Sequence, residues 1–104
     1  MGGSGKSYSP QRSTVDCADL AFATVINSAE HLNSLKKGEL LALAKNARHE
    51  IIFKKATDVE VGKLFSSNLL KLSNCIDRGF QYSAIVDEIK DDVCRVSIFC
   101  SKSP

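Results

Sequence analysis

Residues Val61 to Ile89, VGKLFSSNLLKLSNCIDRGFQYSAIVDEI, decide how this chain folds. Val61–Phe65 reads as a short strand. Ser66, Ser67 or Asn68 then offers a side-chain oxygen to cap a helix. Leu69, Leu72, Cys75 and Ile76 recur at spacings of three and four, which places them on one helical face. Lys71, Ser73, Asn74 and Asp77 fall elsewhere. Arg78 suits the last turn, and Gly79 supplies the left-handed residue that stops a helix. The pattern predicts a helix over Ser67–Arg78. Phe80, Tyr82, Ala84 and Val86 alternate with Gln81 and Ser83, the period of a half-buried strand. A strand, a glycine-stopped helix and a second strand in so few residues predict a compact α+β unit or small barrel, not a catalytic cleft.

Outward from this stretch the pattern stays β-rich. Glu88-Ile89-Lys90-Asp91-Asp92 reads as a polar bend, and Val93–Cys100 as a last strand with Cys94, Val96, Ile98 and Cys100 on one face. Leu40–Ala44 and Glu50–Lys54 flank Asn46-Ala47-Arg48-His49, a hairpin pattern. The rival is a helix across Lys37–Arg48, where Leu, Ala, Glu and Lys favour helix. Lys36-Lys37-Gly38-Glu39 and Ala56–Glu60 read as turns. Over Cys17–Ile26, Leu20, Phe22, Thr24 and Ile26 alternate; Asp16 or Asp19 would cap a helix instead, but the β-branched residues favour a strand. Asn27–Leu35 connects it onward.

These elements predict an α+β domain: a small curved β-barrel of five to six mostly antiparallel strands with one main helix at Ser67–Arg78. The domain is expected over residues 15–100, between a flexible Gly/Ser-rich tail (1–14) and a short tail (101–104). Leu20, Phe22, Leu41, Ile52, Leu64, Leu69, Leu72, Ile76, Ala84, Val86, Val96 and Ile98 are its expected core.

Composition limits the function classes. At 104 residues, 43% apolar and 25% charged, the chain is one ordinary globular domain with little room for a buried cleft. No apolar run is long enough to span a bilayer and no signal sequence is visible, so no membrane association and a cytoplasmic location are expected. Gly3-Ser4-Gly5-Lys6-Ser7 ends like a phosphate-binding loop. It lacks the glycine four residues earlier, the preceding strand and the following helix that such a loop needs.

Four cysteines raise the question of metal. Structural zinc uses close pairs, whereas Cys17 and Cys75 stand alone and Cys94 and Cys100 are about 20 Å apart along a strand. Neither a metal nor a cofactor is expected. If the first strand packs on the helix, a disulfide or thiol contact between Cys17 and Cys75 becomes feasible, with the reduced form the default in a cytosol. His31 and His49 have no neighbouring nucleophile in the sequence. Asp87, Glu88, Asp91 and Asp92 read as a solvated hairpin end. No catalytic residue is therefore assigned, and no enzymatic activity is expected.

Charge is uneven although the net is only +2. Between Ser34 and Arg78 nine basic residues face five acids, and the flanks compensate. Lys36, Lys37, Arg48, Lys54, Lys55 and Lys63 could track a phosphate backbone. Tyr82 and Phe53 are the aromatic residues assigned to stack on bases.

Val61-Gly62-Lys63-Leu64, the helix Leu69–Arg78, Gly79 and Tyr82-Ser83-Ala84-Ile85-Val86 together resemble the second half of a HIRAN domain, over about forty residues. The resemblance implies a small barrel and a module that binds single-stranded DNA ends. The family's DNA-holding residues have no match in the first half, and none is carried over. The chain is also similar in outline to small stand-alone bacterial proteins of unknown function, through Cys17-Ala18-Asp19-Leu20-Ala21-Phe22 and Cys75-Ile76-Asp77-Arg78-Gly79. The functional expectation is a non-enzymatic module binding single-stranded DNA or RNA through the basic surface. The alternative is an interaction or neutralising module acting on a partner protein.

Overall fold

The computed structural model describes residues 17–26, 34–91 and 93–104. The glycine-rich tail, the Gly3–Ser7 sequence, His31 and the Asn27–Asn33 connection lie outside them. The architecture is α+β: six antiparallel strands curl into a half-barrel, with one main helix. The strands are β1 (Phe22–Ile26), β2 (Leu40–Lys45), β3 (Ile51–Lys54), β4 (Glu60–Lys63), β5 (Gln81–Lys90) and β6 (Val93–Lys102). Helix α1 (Leu69–Asp77) joins β4 to β5. The spatial order is β1-β6-β5-β2-β3-β4, so the first strand lies beside the last, and β1 and β4 form the two edges.

The helix stops as the sequence predicts. Gly79 has φ +101°. Its N–H donates to the Ile76 carbonyl (3.0 Å) and the Phe80 N–H to the Cys75 carbonyl (3.1 Å), the paired bonds of a Schellman ending. A Cβ at residue 79 would also lie 3.0 Å from the Pro104 Cβ, so glycine is favoured on two counts. The start differs from expectation: Asn68 occupies the cap position without a side-chain bond, and the Ser66 hydroxyl accepts the Asn68 N–H (3.1 Å). The helix is accordingly shorter than Ser67–Arg78.

Two hairpins repeat one turn. In Asn46–Glu50 the first N–H donates to the fifth carbonyl (2.9 Å), the fourth N–H to the first carbonyl (3.0 Å), and His49 is left-handed at φ 66°. Lys55–Val59 repeats this with bonds of 2.9 and 2.8 Å and Asp58 at φ 68°. In the first, the Asn46 side chain also accepts the N–H groups of Arg48 (3.0 Å) and Glu50 (2.9 Å). That local bonding selects the hairpin over the rival helix.

Three expected boundaries are corrected. The strand over Cys17–Ile26 begins only at Phe22, and residues 17–19 are helical. Thr24, Val25 and Ile26 favour extended backbone, while Cys17–Leu20 has no β-branched residue. The polar bend at Glu88–Asp92 is mostly strand, because β5 runs to Lys90. The register shifts between Val86 and Glu88, so Asp87 is an extra residue that breaks the alternation. The tail 101–104 is half strand: Gln81 pairs with Lys102, and the Ser101 hydroxyl donates to the Gln81 carbonyl (3.2 Å).

The core fills the concave side of the sheet beneath α1. Leu41, Ile51, Phe53, Tyr82, Ala84, Val86, Cys94, Val96 and Ile98 are buried there with Leu72 and Cys75 of the helix. Of the expected core, Leu20, Phe22, Leu69 and Ile76 are only partly buried. Ile52 is buried but stands apart from this cluster, on the other side of β3.

Candidate protein-interaction surface

The β2–β3 hairpin separates the predicted basic residues into two groups. Lys36 and Lys37 precede β2 and Lys55 follows β3. With Ser34, Gly38 and Glu39 they line a shallow depression of about 460 Å³. At the other end Arg48 and Lys63 line a second depression of about 310 Å³ with Asn46, Ala47, Glu50 and Glu60. Lys54 lies between the two groups along β3.

Half of these six cations already have carboxylate partners. Lys54 pairs with Asp58 at 3.0 Å and Lys63 with Glu50 at 3.1 Å. Lys55 lies 3.5 Å from Glu39 and donates to the Ser34 carbonyl at 2.6 Å. The side-chain amide of Asn46 (2.9 Å) and Lys63 hold the Glu50 carboxyl below its ordinary pKa of 4.5. Lys36, Lys37 and Arg48 are exposed, with no carboxylate partner among the described residues. The sequence puts like charges close together along the chain, and the hairpins bring acids between them.

The two aromatic assignments are corrected. Phe53 is 0% and Tyr82 2% exposed, so neither ring can stack on a base. Both point inward by strand alternation, and a core this small needs their volume. The Tyr82 hydroxyl donates to the Cys17 carbonyl. Burial pushes the Tyr82 phenol up to about 12, with Cys100 adding to the rise.

That bond lies beside a covalent one. Cys17 and Cys75 form a buried disulfide across 58 residues of sequence, tying the segment leading into β1 to the helix. Cys94 and Cys100 are free thiols; Cys94 is buried, which raises its pKa. Among the described residues no group of three His, Cys, Asp or Glu is placed to hold a metal. No helix among them is long and apolar enough to cross a membrane.

What sequence reasoning missed is the outer face and the edges of the sheet. Leu40 pairs with Ile85, Ile85 with Ser97, and Ser97 with Ala23, a row running across four strands to β1. Leu40 is 56% and Ile85 39% exposed. At the row's end is β1, Phe22-Ala23-Thr24-Val25-Ile26, which pairs with β6 on one side only among the described residues. It has no charge, proline or glycine. The opposite edge is different: β4 is four residues long, with Glu60, Gly62 and Lys63, and its register with β3 slips between Phe53 and Lys54. The signal for β1 was present in its uncharged alternation, but edge position depends on the pairing order.

No family model matches the chain, and no curated protein matches it. A crystal structure of a protein from Lactobacillus plantarum is similar, with a TM-score of 0.61 and 13% identity over 78% of this chain and 95% of that one. At that identity the likeness is one of fold.

Proposed function

We propose that this domain is a non-enzymatic protein-interaction module that accepts an extended segment of a partner along β1. The observation that carries the reading is the character of this edge: five uncharged residues in regular register with β6, without the charges, bulge or proline that keep such edges from pairing. Strand addition uses main-chain hydrogen bonds for affinity and alternate side chains for selectivity. The exposed Leu40–Ile85 pair extends the apolar surface next to it. The buried disulfide supports an oxidising compartment as the place of action, in preference to the cytoplasmic location expected from the sequence.

A second reading, binding of single-stranded nucleic acid, keeps one specific support. Lys36 and Lys37, which have no carboxylate partner among the described residues, line one depression together with Lys55. With Tyr82 and Phe53 buried it rests chiefly on phosphate contacts, so affinity would fall steeply with salt.

One experiment separates the two. The wild-type domain, a Val25→Lys variant and a Lys36→Glu/Lys37→Glu variant are compared as bait and in anisotropy titrations with labelled oligonucleotides at low and high salt. Partner capture lost in Val25→Lys alone supports the docking edge. Salt-sensitive oligonucleotide binding lost in Lys36→Glu/Lys37→Glu alone supports the nucleic-acid reading and overturns the first.

A further inference from the structure

We infer that the side of β1 that carries no strand among the described residues takes β1 of a second copy of this chain, antiparallel and centred on Thr24. This rests on the reading of β1 as a docking edge and names its occupant. The five residues are complementary to their own reverse. In a register centred on Thr24, Phe22 stands opposite Ile26 of the second copy, Ala23 opposite Val25, and Thr24 opposite Thr24. Phe22, Thr24 and Ile26 pair with Ile98, Val96 and Cys94 of β6, so they share the core side of the sheet. An antiparallel register about a central residue preserves that parity. Each apolar side chain therefore meets an apolar one on its own face, and no charge is opposed or buried.

The same register joins the two outer faces. The row Leu40–Ile85–Ser97–Ala23 continues to Val25 of the second copy, itself half-exposed in the single chain. Phe22, only partly buried at the end of the core face, gains Ile26 of the second copy as a neighbour.

Symmetry separates this arrangement from its competitor. Pairing β1 of one chain with β4 of the next is head-to-tail and leaves an edge open at each end, the geometry of a filament. Glu60, Lys63 and the slipped register of β4 oppose it. Pairing β1 with itself consumes both unprotected edges and stops at two chains. A five-residue strand covers far less than the roughly 1,600 Å² of a standard interface, so the dimer is expected to dissociate in the micromolar range or above.

The test uses two variants of the whole chain: Ala23→Lys/Val25→Lys and Ala23→Glu/Val25→Glu. Both positions face outward, and folding is checked by thermal melting. Sedimentation over a wide concentration range should show the wild type passing from monomer to dimer. Each variant alone should dissociate about tenfold or more readily, because like charges stand opposite across both outer pairs. An equimolar mixture should recover the dimer, since each pair then unites opposite charges. That recovery is specific to the register.

Three results would overturn the inference: a wild type monomeric at every concentration, a dimer indifferent to both variants, or slow exchange in the monomer of the β1 amides that point away from β6, which would mean the chain covers its own edge. If the wild type stays monomeric while Val25→Lys still abolishes capture of another protein, the second copy is wrong and the docking edge stands. If neither behaviour depends on β1, both fall.

Discussion

The two edges of the sheet are built on opposite principles. β4 is short, charged at both ends, contains a glycine and slips its register against β3. Each feature discourages another strand from adding there. β1 has none of them and is instead anchored from behind: its lead-in is bonded through Cys17 to Cys75, and the Cys17 carbonyl is held by Tyr82. One edge is made unattractive to partners; the other is left uncharged and tied to the helix. Charge placement at an edge thus reads as a statement about partners, and anchoring reads as a statement about rigidity.

The comparison is broken most severely by removing the anchor. Cys17→Ser with Cys75→Ser should cost about 4 kcal/mol, the loop-closure value for a cross-link of this span. It is measured by urea denaturation, and amide exchange should rise in β1 while β4 keeps its protection. Equal loosening of both edges would erase the proposed distinction.

Tyr82→Phe should cost about 2 kcal/mol, because the buried Cys17 carbonyl loses its donor. The wild-type phenol also sets an alkaline limit. Its folded pKa is raised from 10.0 to about 12, so the stability tied to the neutral phenol is complete below pH 10 and is lost as pH rises through 12. Phenolate absorbance in a Tyr8→Phe background, which leaves one tyrosine, should show this late titration together with loosening of β1.

On β4 the effects are smaller. Glu50 has a lowered pKa, so the stability it contributes with Asn46 and Lys63 is present above pH 4.5 and is lost as pH falls below it. Lys63→Ala should flatten that acid-side decline in melting temperature without changing the neutral-pH value appreciably. Smallest in stability but informative about edges is Glu60→Val with Lys63→Thr. It should barely move the denaturation midpoint, yet light scattering should report self-association absent from the wild type. If solubility is unchanged, the edge charges of β4 are not what guards it.

Much of the fold was legible because local patterns and tertiary structure agree. The helix face of Leu72 and Cys75, the Gly79 stop and the alternation of Tyr82, Ala84 and Val86 each follow from a single period. Legibility failed where the period is interrupted. Asp87 inserts one residue into β5, and the polar residues beyond it then read as a bend. The candidate surface was harder to see. Tyr82 and Phe53 read equally well as platforms or as core, since alternation fixes which residues share a face without saying which face is covered. The lysines form a block in sequence, but Glu39, Glu50 and Asp58 reach them only after the hairpins close. That β1 is an edge depends on its lying beside β6, a pairing between opposite ends of the chain that no local signal announces.

That pairing also imposes a schedule. β1 precedes every other described strand in the chain, and its ladder partner β6 follows them all. The turns of β2, β3 and β4 can close while the chain is still growing, but β1 must wait for its ladder partner β6 until the five strands after it in the chain have emerged. A sheet completed by pairing strands so far apart in sequence carries a high loop-closure cost before any contact repays it, and such topologies fold slowly. During that interval an uncharged, self-complementary strand is exposed to other nascent copies of itself, so the segment best suited to assembly is also the one most in need of protection at birth.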